Sequence, residues 1–289
     1  VYSASAAPVS LKLFSNNDII VPPVPLNDED SLWLVRKRSI SIAIYGPEKA
    51  PLSTSDITGR YRGMNADYLQ LMKNALGVAL TLKCYPDRQS AVEALRGGKV
   101  DLVLTDPDEA DITEPSLVAS LPLVKGYPAL VSRQTEMMKP LHSSDQRVTI
   151  AITQHYPTED FIKRSFPHAI IVSYPTVYQA LESVVKMRSD YYIGNNIISS
   201  FIISRDFNHL LEMTRFWQSP QNSNRFLAAD NQRKLIKIIN SFIHSLNEPL
   251  HNQIAQSWVE MGSLTFLTRP LDLTPQEKRW LEKHQRLRV

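Results

Sequence analysis

One cysteine in 289 residues, Cys84, excludes an internal disulfide and any site built from several thiolates. It lies on the alternating face of Val78, Leu80, Leu82 and Cys84, the setting of a buried and inert thiol. No apolar run approaches the ~18 residues of a membrane span. The opening Val1-Tyr-Ser-Ala-Ser-Ala-Ala-Pro8 has neither the basic start nor the apolar stretch of a signal peptide. The expectation is either a cytosolic protein or one whose signal and anchors lie outside this sequence. A concentrated charge of one sign is also missing. The net charge is +3, and the two basic clusters, Arg36-Lys37-Arg38 and residues 279–288, stand beside acids or apolar helix positions, which argues against nucleic-acid binding. There is no P-loop, no Gly-x-Gly-x-x-Gly, no Gly-x-Ser-x-Gly and no histidine pair at zincin spacing. The acids Asp106, Asp108, Glu109 and Asp111 lack the spaced pattern and glycine of an EF-hand. No metal and no cofactor are therefore expected.

What is present is a soluble composition, 43% hydrophobic and 21% charged, with length for about two domains. The chain is organised around residues 40–106. Residues 40–44, 78–84 and 100–104 read as strands, with helices over 63–77 and 87–97 between them. In the first helix Asn65 is placed to cap, Leu69, Met72 and Leu76 share a face, and Gly77 is the stop. In the second, Asp87 is the cap, and Gly97-Gly98 end it. Two successive βαβ units require a parallel sheet covered by helices.

The rest of the chain repeats this logic. Residues 1–25 have no period and read as an arm; a short helix over 26–35 follows, with Asn27 or Asp28 as cap. Residues 26–131 form the first part of lobe 1, and the runs broken by Pro122, Gly126 and Pro128 lead out of it. Residues 132–222 form lobe 2, with strands at 148–152, 170–172 and 190–193 and helices at 158–166, 176–187 and 197–206. Thr176 and Gln179 have capping-box spacing. Residues 223–262 carry two helices expected to return and pack on lobe 1, the first of them with Leu235, Ile238, Ile239, Phe242 and Ile243 on one face. Two lobes joined by two crossings make a hinge with a cleft between them. Residues 263–289 echo the start of lobe 1: Leu273 to Trp280-Leu281 repeats the spacing of Leu26 to Trp33-Leu34. The sequence would then break off at the first strand of a second copy.

The strand, then Tyr61-Arg-Gly-Met-Asn-Ala-Asp-Tyr-Leu69, Leu76-Gly-Val78 and the segment Ala91 to Asp101 (AVEALRGGKVD) resemble the family 3 extracellular solute-binding proteins. With Leu273-Thr-Pro-Gln-Glu and Trp280-Leu281 ahead of a new strand, the chain resembles the first flytrap of BvgS/EvgS-type unorthodox hybrid sensor histidine kinases. The resemblance implies an α/β type II periplasmic-binding-protein (Venus flytrap) fold, two βαβ lobes joined by a two-strand hinge. It also implies a periplasmic sensory domain of an inner-membrane two-component phosphorelay receptor, itself not an enzyme although its parent is a kinase. The partners implied are a small-molecule ligand of unknown identity, a second flytrap in the same chain and a second copy in a homodimeric receptor. The alternatives are a free-standing solute-binding protein of an amino-acid-type ABC transporter, and a flytrap-fold dehydratase using Asp106 with His155.

Ligands of open α/β sheets sit at the C-terminal ends of strands. That rule selects Tyr45, Thr105 and Asp106 in lobe 1, and Thr153, His155, Tyr156, Asn195 and Asn196 in lobe 2; Asp67, at the start of the central helix, joins them. Polar loops of this kind are also what solvation alone produces. Amino-acid-binding relatives usually place an arginine after the first-lobe strand, yet residues 106–121 contain none, and Gly194-Asn195-Asn196 stands where a ligand-binding aspartate is usual. His155, with a reference pKa near 6.5, is the histidine placed to act as a proton switch on lobe closure; the alternative is an exposed loop histidine.

Overall fold

The computed structural model describes residues 7–15, 19–20, 23–107, 116–134, 147–153, 156–217 and 223–258. The predicted second-copy segment 263–289 therefore lies outside the described residues.

Lobe 1 is built on β2 (Ser39–Tyr45), a run of alternating isoleucines flanked in parallel by β5 (Ala79–Tyr85) and β6 (Leu102–Leu104). Between β2 and β5 runs α2 (Met64–Leu76), and between β5 and β6 runs α3 (Arg88–Arg96). Asp87 caps α3 by accepting the Ser90 N–H at 2.8 Å. Asn65 does not cap α2. The N-cap is Gly63, and the Asn65 side chain points instead into the hinge, where its Oδ1 accepts a hydrogen bond from Asn224 Nδ2 at 2.6 Å.

The sheet of lobe 1 is wider than the three strands of the sequence reading. Residues 9–13 of the supposed arm form β1 (Val9–Leu13), antiparallel to β5 and parallel to β4 (Arg60–Arg62), which in turn pairs with β3 (Thr54–Ser55). Leu11 and Leu13 alternate onto the core, a period too short to stand out in a 25-residue segment. On the far side, β15 (Phe226–Ala229) adds antiparallel to β6, and β7 (Leu117–Ala119) closes the edge, giving eight strands in the order β3-β4-β1-β5-β2-β6-β15-β7.

Lobe 2 carries a five-stranded sheet of β11 (Ile170–Tyr174), β10 (Thr149–Thr153), β12 (Tyr191–Asn195), β9 (Pro128–Arg133) and β13 (Leu211–Phe216) in that order. Three helices cover it: α4 (Glu159–Ser165), α5 (Val177–Val185) and α6 (Asn196–Asp206). Thr158 caps α4, and Thr176 caps α5.

The lobes are joined by two short strands, β8 (Val124–Lys125) and β14 (Ser223–Asn224), paired antiparallel in a sheet of their own. After β15 the chain forms α7 (Arg233–Ser245) and α8 (Glu248–Trp258), which bury Leu235, Ile239, Phe242 and Ile254 in the same core as β2 and α2. The helix α1 (Asp28–Lys37), capped by Asn27, is tied to α7 by the buried Asp30, which Lys237 meets at 3.1 Å.

Gly63 takes φ +120°, and a Cβ there would lie 2.4 Å from the Leu52 carbonyl oxygen. Gly77, the left-handed stop of α2, has φ +63° and open space around it. Both are strained for any other residue, and only the first adds a backbone clash. Gly63→Ala is expected to cost about 3 kcal/mol or more, and Gly77→Ala about 1 kcal/mol. Chemical denaturation of the two variants checks the order; equal losses would remove the clash as a cause.

Candidate functional site

Between the lobes lies a cleft of about 1090 Å³, walled by both. Lobe 1 contributes the loop after β2 (Gly46 to Ala50), one face of α3 from its cap Asp87 to Arg96, and Asp106. Lobe 2 contributes Thr153, the start of α5 at Thr176 to Tyr178, and the α6 face of Ile198, Phe201, Ile202 and Arg205. The surface is therefore mixed: cations from Lys49, Arg88, Arg96 and Arg205 stand among carboxylates from Glu48, Asp87, Glu93 and Asp106, over an aliphatic and aromatic floor.

The nine residues selected from the sequence divide into three groups. Asp106 and Thr153 line the cleft, and Tyr45 supports it from beneath, its hydroxyl accepting the Asp106 N–H at 3.0 Å. Thr105, Asn195, Asn196, Tyr156 and Asp67 are engaged elsewhere. Thr105 holds β6 to the returning chain: its Oγ1 donates to the Arg225 carbonyl at 3.2 Å and accepts the Arg225 N–H at 2.9 Å. Asn195 caps α6 through the N–H groups of Ile197 and Ile198. Asn196 pairs with Tyr127 beside the hinge, its Oδ1 accepting the Tyr127 N–H at 2.8 Å and its own N–H donating back to the Tyr127 carbonyl at 2.9 Å. Tyr156 is buried, and its backbone bridges to Thr153. Asp67 is buried and does not line the cleft, accepting from Ser15 Oγ at 2.7 Å and from Trp258 Nε1 at 2.6 Å. His155 lies outside the described residues.

The α3 and α5 contributions fall outside the sequence reading, which takes the ends of four strands and not those of β5 and β11. Those strands end at the same mouth, and the junctions Asp87-Arg88-Gln89 and Pro175-Thr176-Val177 that follow them carried the signal. The arginines on the lobe 1 side, Arg88 and Arg96, come from α3 and not from the segment after β6.

Within the cleft, Lys49 Nζ and Asp106 Oδ2 form an ion pair at 3.2 Å. Burial pushes the Asp106 carboxyl above the ordinary carboxylate range, against the opposing pull of Lys49. The end of β6 thus satisfies its own charge. Among the described residues no cluster of histidine, cysteine, aspartate or glutamate is placed to hold a metal ion, and no helix is long and apolar enough to cross a membrane.

A second set of contacts leads away from the hinge. Asn224 Nδ2 reaches Asn65 at the start of α2; two residues on, Asp67 holds Trp258, and next to it Tyr68 Oη pairs with His251 Nδ1 at 2.7 Å. The hinge strand, α2 and α8 are therefore joined by side-chain hydrogen bonds, all at buried or partly buried positions.

Compared with known proteins, the chain is 39% identical over 275 residues to the sensor protein EvgS of Escherichia coli O157:H7, a match covering 95% of this chain and 23% of the relative. The chain is homologous to the EvgS and BvgS sensor proteins. The virulence sensor protein BvgS of Bordetella pertussis is 26% identical over 270 residues, 92% of this chain and 21% of BvgS. The crystal structure of the BvgS periplasmic domain superposes with a TM-score of 0.83 at 23% identity, over 95% of this chain and 53% of that one. No family model matches the chain. This EvgS/BvgS homologue has the Venus flytrap fold, and it spans less than a quarter of the length of these relatives.

The Asp106 geometry of this flytrap carries a pH dependence. Because burial lets the folded state hold the Asp106 proton more tightly than the unfolded chain does, this group contributes stability fully present below 3.8, and loses it as pH rises through the raised folded value. Asp106→Asn removes that loss. The melting temperature of the variant, measured against the wild type, is expected to gain from pH 3.8 to pH 7; a constant difference across that range would show that Asp106 titrates normally.

Proposed function

We propose that this chain is a periplasmic sensory flytrap of a membrane-bound hybrid histidine kinase, and that the state of its lobes is the signal. The observation that carries this reading is the run of hydrogen bonds from Asn224 in the hinge, through Asn65, Asp67 and Tyr68 on α2, to His251 and Trp258 on α8. Rotation of lobe 2 about β8 and β14 displaces the hinge amide, and α2 carries the displacement to the last helix described. On this reading a second flytrap, a membrane segment and a kinase belong to the same receptor, which acts as a homodimer; the 39% identity to the sensor protein EvgS supports placing the chain in such a receptor.

The cleft is the receiving surface. Its paired charges suit a compact polar solute that carries both signs, and its lack of an arginine after β6 separates it from the usual grip on an amino-acid carboxylate. No cofactor enters this reading. A solute acts on such a domain only through its differential affinity for the open and closed states.

Two measurements test the reading. In a Cys84→Ala background, Gln89→Cys on lobe 1 and Tyr178→Cys on lobe 2 both face the cleft, and bridging them with a bismaleimide is expected to fix kinase output of the full receptor at one level. A receptor that still responds fully when bridged overturns lobe movement as the signal. For the relay, Asp67→Asn and Trp258→Phe should each lower stability by about 1.5–3 kcal/mol, and the double variant by clearly less than the sum, since both remove one charge-assisted hydrogen bond. Additive losses would mean that Asp67 and Trp258 are not coupled.

A further inference from the structure

Beside the hinge is a second cavity of about 450 Å³ that shares no lining residue with the first. Its walls are apolar: Met64 of α2, Leu123 and Val124 of the β8 crossing, Ile197 of α6, and Ile243 and Leu246 at the end of α7. The hydrogen-bonded pair Tyr68 and His251 forms part of its floor, and His244, Glu248 and Asn252 give it one polar rim. The volume falls within the ~300–1,000 Å³ usual for small-molecule sites, as does the combination of apolar walls with a few polar groups gathered at one side.

The chemistry of the rim selects the ligand. With histidines neutral, Glu248 is the one formally charged group among the described lining residues, and no lysine or arginine lines the cavity. An anion would meet a carboxylate and find no cation; a hydrogen-bond donor or an amine would find Glu248 and the Asn252 carbonyl oxygen. We propose that this cavity is a second small-molecule site, for a compact apolar body bearing a single donor or amine head, and that its occupancy is linked to lobe closure.

The link comes from α6. The first turn of this helix separates the two cavities: Ile197 faces the one beside the hinge and Ile198 faces the cleft. α6 belongs to lobe 2, whereas α2, α7 and α8, which with the β8 crossing form the rest of the wall, belong to lobe 1. Any rotation of the lobes therefore reshapes the second cavity, and a ligand filling it in one state opposes departure from that state. By linkage the cleft ligand and the second ligand each alter the other's affinity by one common factor. The site itself stands on the cavity; its coupling rests on the lobe movement proposed above.

Ligand-observed NMR titration of the chain with indole, benzylamine and benzoate tests the proposal. Indole and benzylamine are expected to bind and benzoate not to. Asn252→Trp, on the rim, is expected to weaken indole at least tenfold, whereas Gln89→Trp in the cleft leaves it within twofold. Glu248→Lys, at an exposed position where folding is not in question, is expected to weaken benzylamine at least tenfold and to admit benzoate. Absence of binding by both donors, or loss in Gln89→Trp with retention in Asn252→Trp, overturns the site; benzoate binding as well as benzylamine to the wild type overturns the ligand class. Bridging Gln89→Cys to Tyr178→Cys should change the indole dissociation constant at least threefold, and an unchanged constant overturns the coupling while leaving the site.

Discussion

Asn224 is a fully buried amide at the point where two lobes meet, and both ends of its side chain are engaged. Its Oδ1 accepts the Val124 N–H of the facing hinge strand at 2.8 Å, and its Nδ2 donates to Asn65. A hinge of two residues per strand has few backbone hydrogen bonds with which to fix its position, so a side chain that binds the other strand and the adjacent helix together defines where rotation is referred. An apolar residue of the same size would leave the Val124 N–H and the Asn65 oxygen buried without partners, each a cost of ~1–3 kcal/mol. The hinge is therefore both pivot and contact, and α2 is the element that feels it.

This explains why the sequence rules read the fold more fully than the site. Periodicity finds strands and helices because one face of each must be buried, and β2, α2, α5 and α7 all declare themselves that way. Short strands do not: β8 and β14 have two residues each, too few for any period, although the Pro- and Gly-broken run around them marks a crossing. Asparagine is the most ambiguous letter in the chain. Asn27 caps a helix as its position suggests, and Asn195 caps α6, but Asn65, Asn196 and Asn224 are buried partners across long sequence separations, and nothing local distinguishes them from cleft residues. Asp67 misleads for the same reason. Its place in the first turn fits a helix-dipole role, while its partners Ser15 and Trp258 lie 52 and 191 residues away.

The cleft has a different logic from its hinge. The charge at the end of β6 is answered from within the lobe by Lys49. Pairing lowers the cost of an unoccupied cleft, because the buried Asp106 carboxylate already has its partner. It also lowers the gain a simple anion could bring.

Position of α6 follows from these constraints taken together. Asn195 and Asn196 pin its first turn to β12 and to Tyr127 beside the hinge, so the helix cannot slide independently of lobe 2. Consecutive residues of that pinned turn then point to opposite sides, Ile197 toward α2 and Ile198 into the cleft. Residues one apart on a helix are separated by about 100°, so one turn can serve two surfaces only when it lies edge-on between them. The geometry makes α6 the partition between the two cavities, one residue of its first turn lining each.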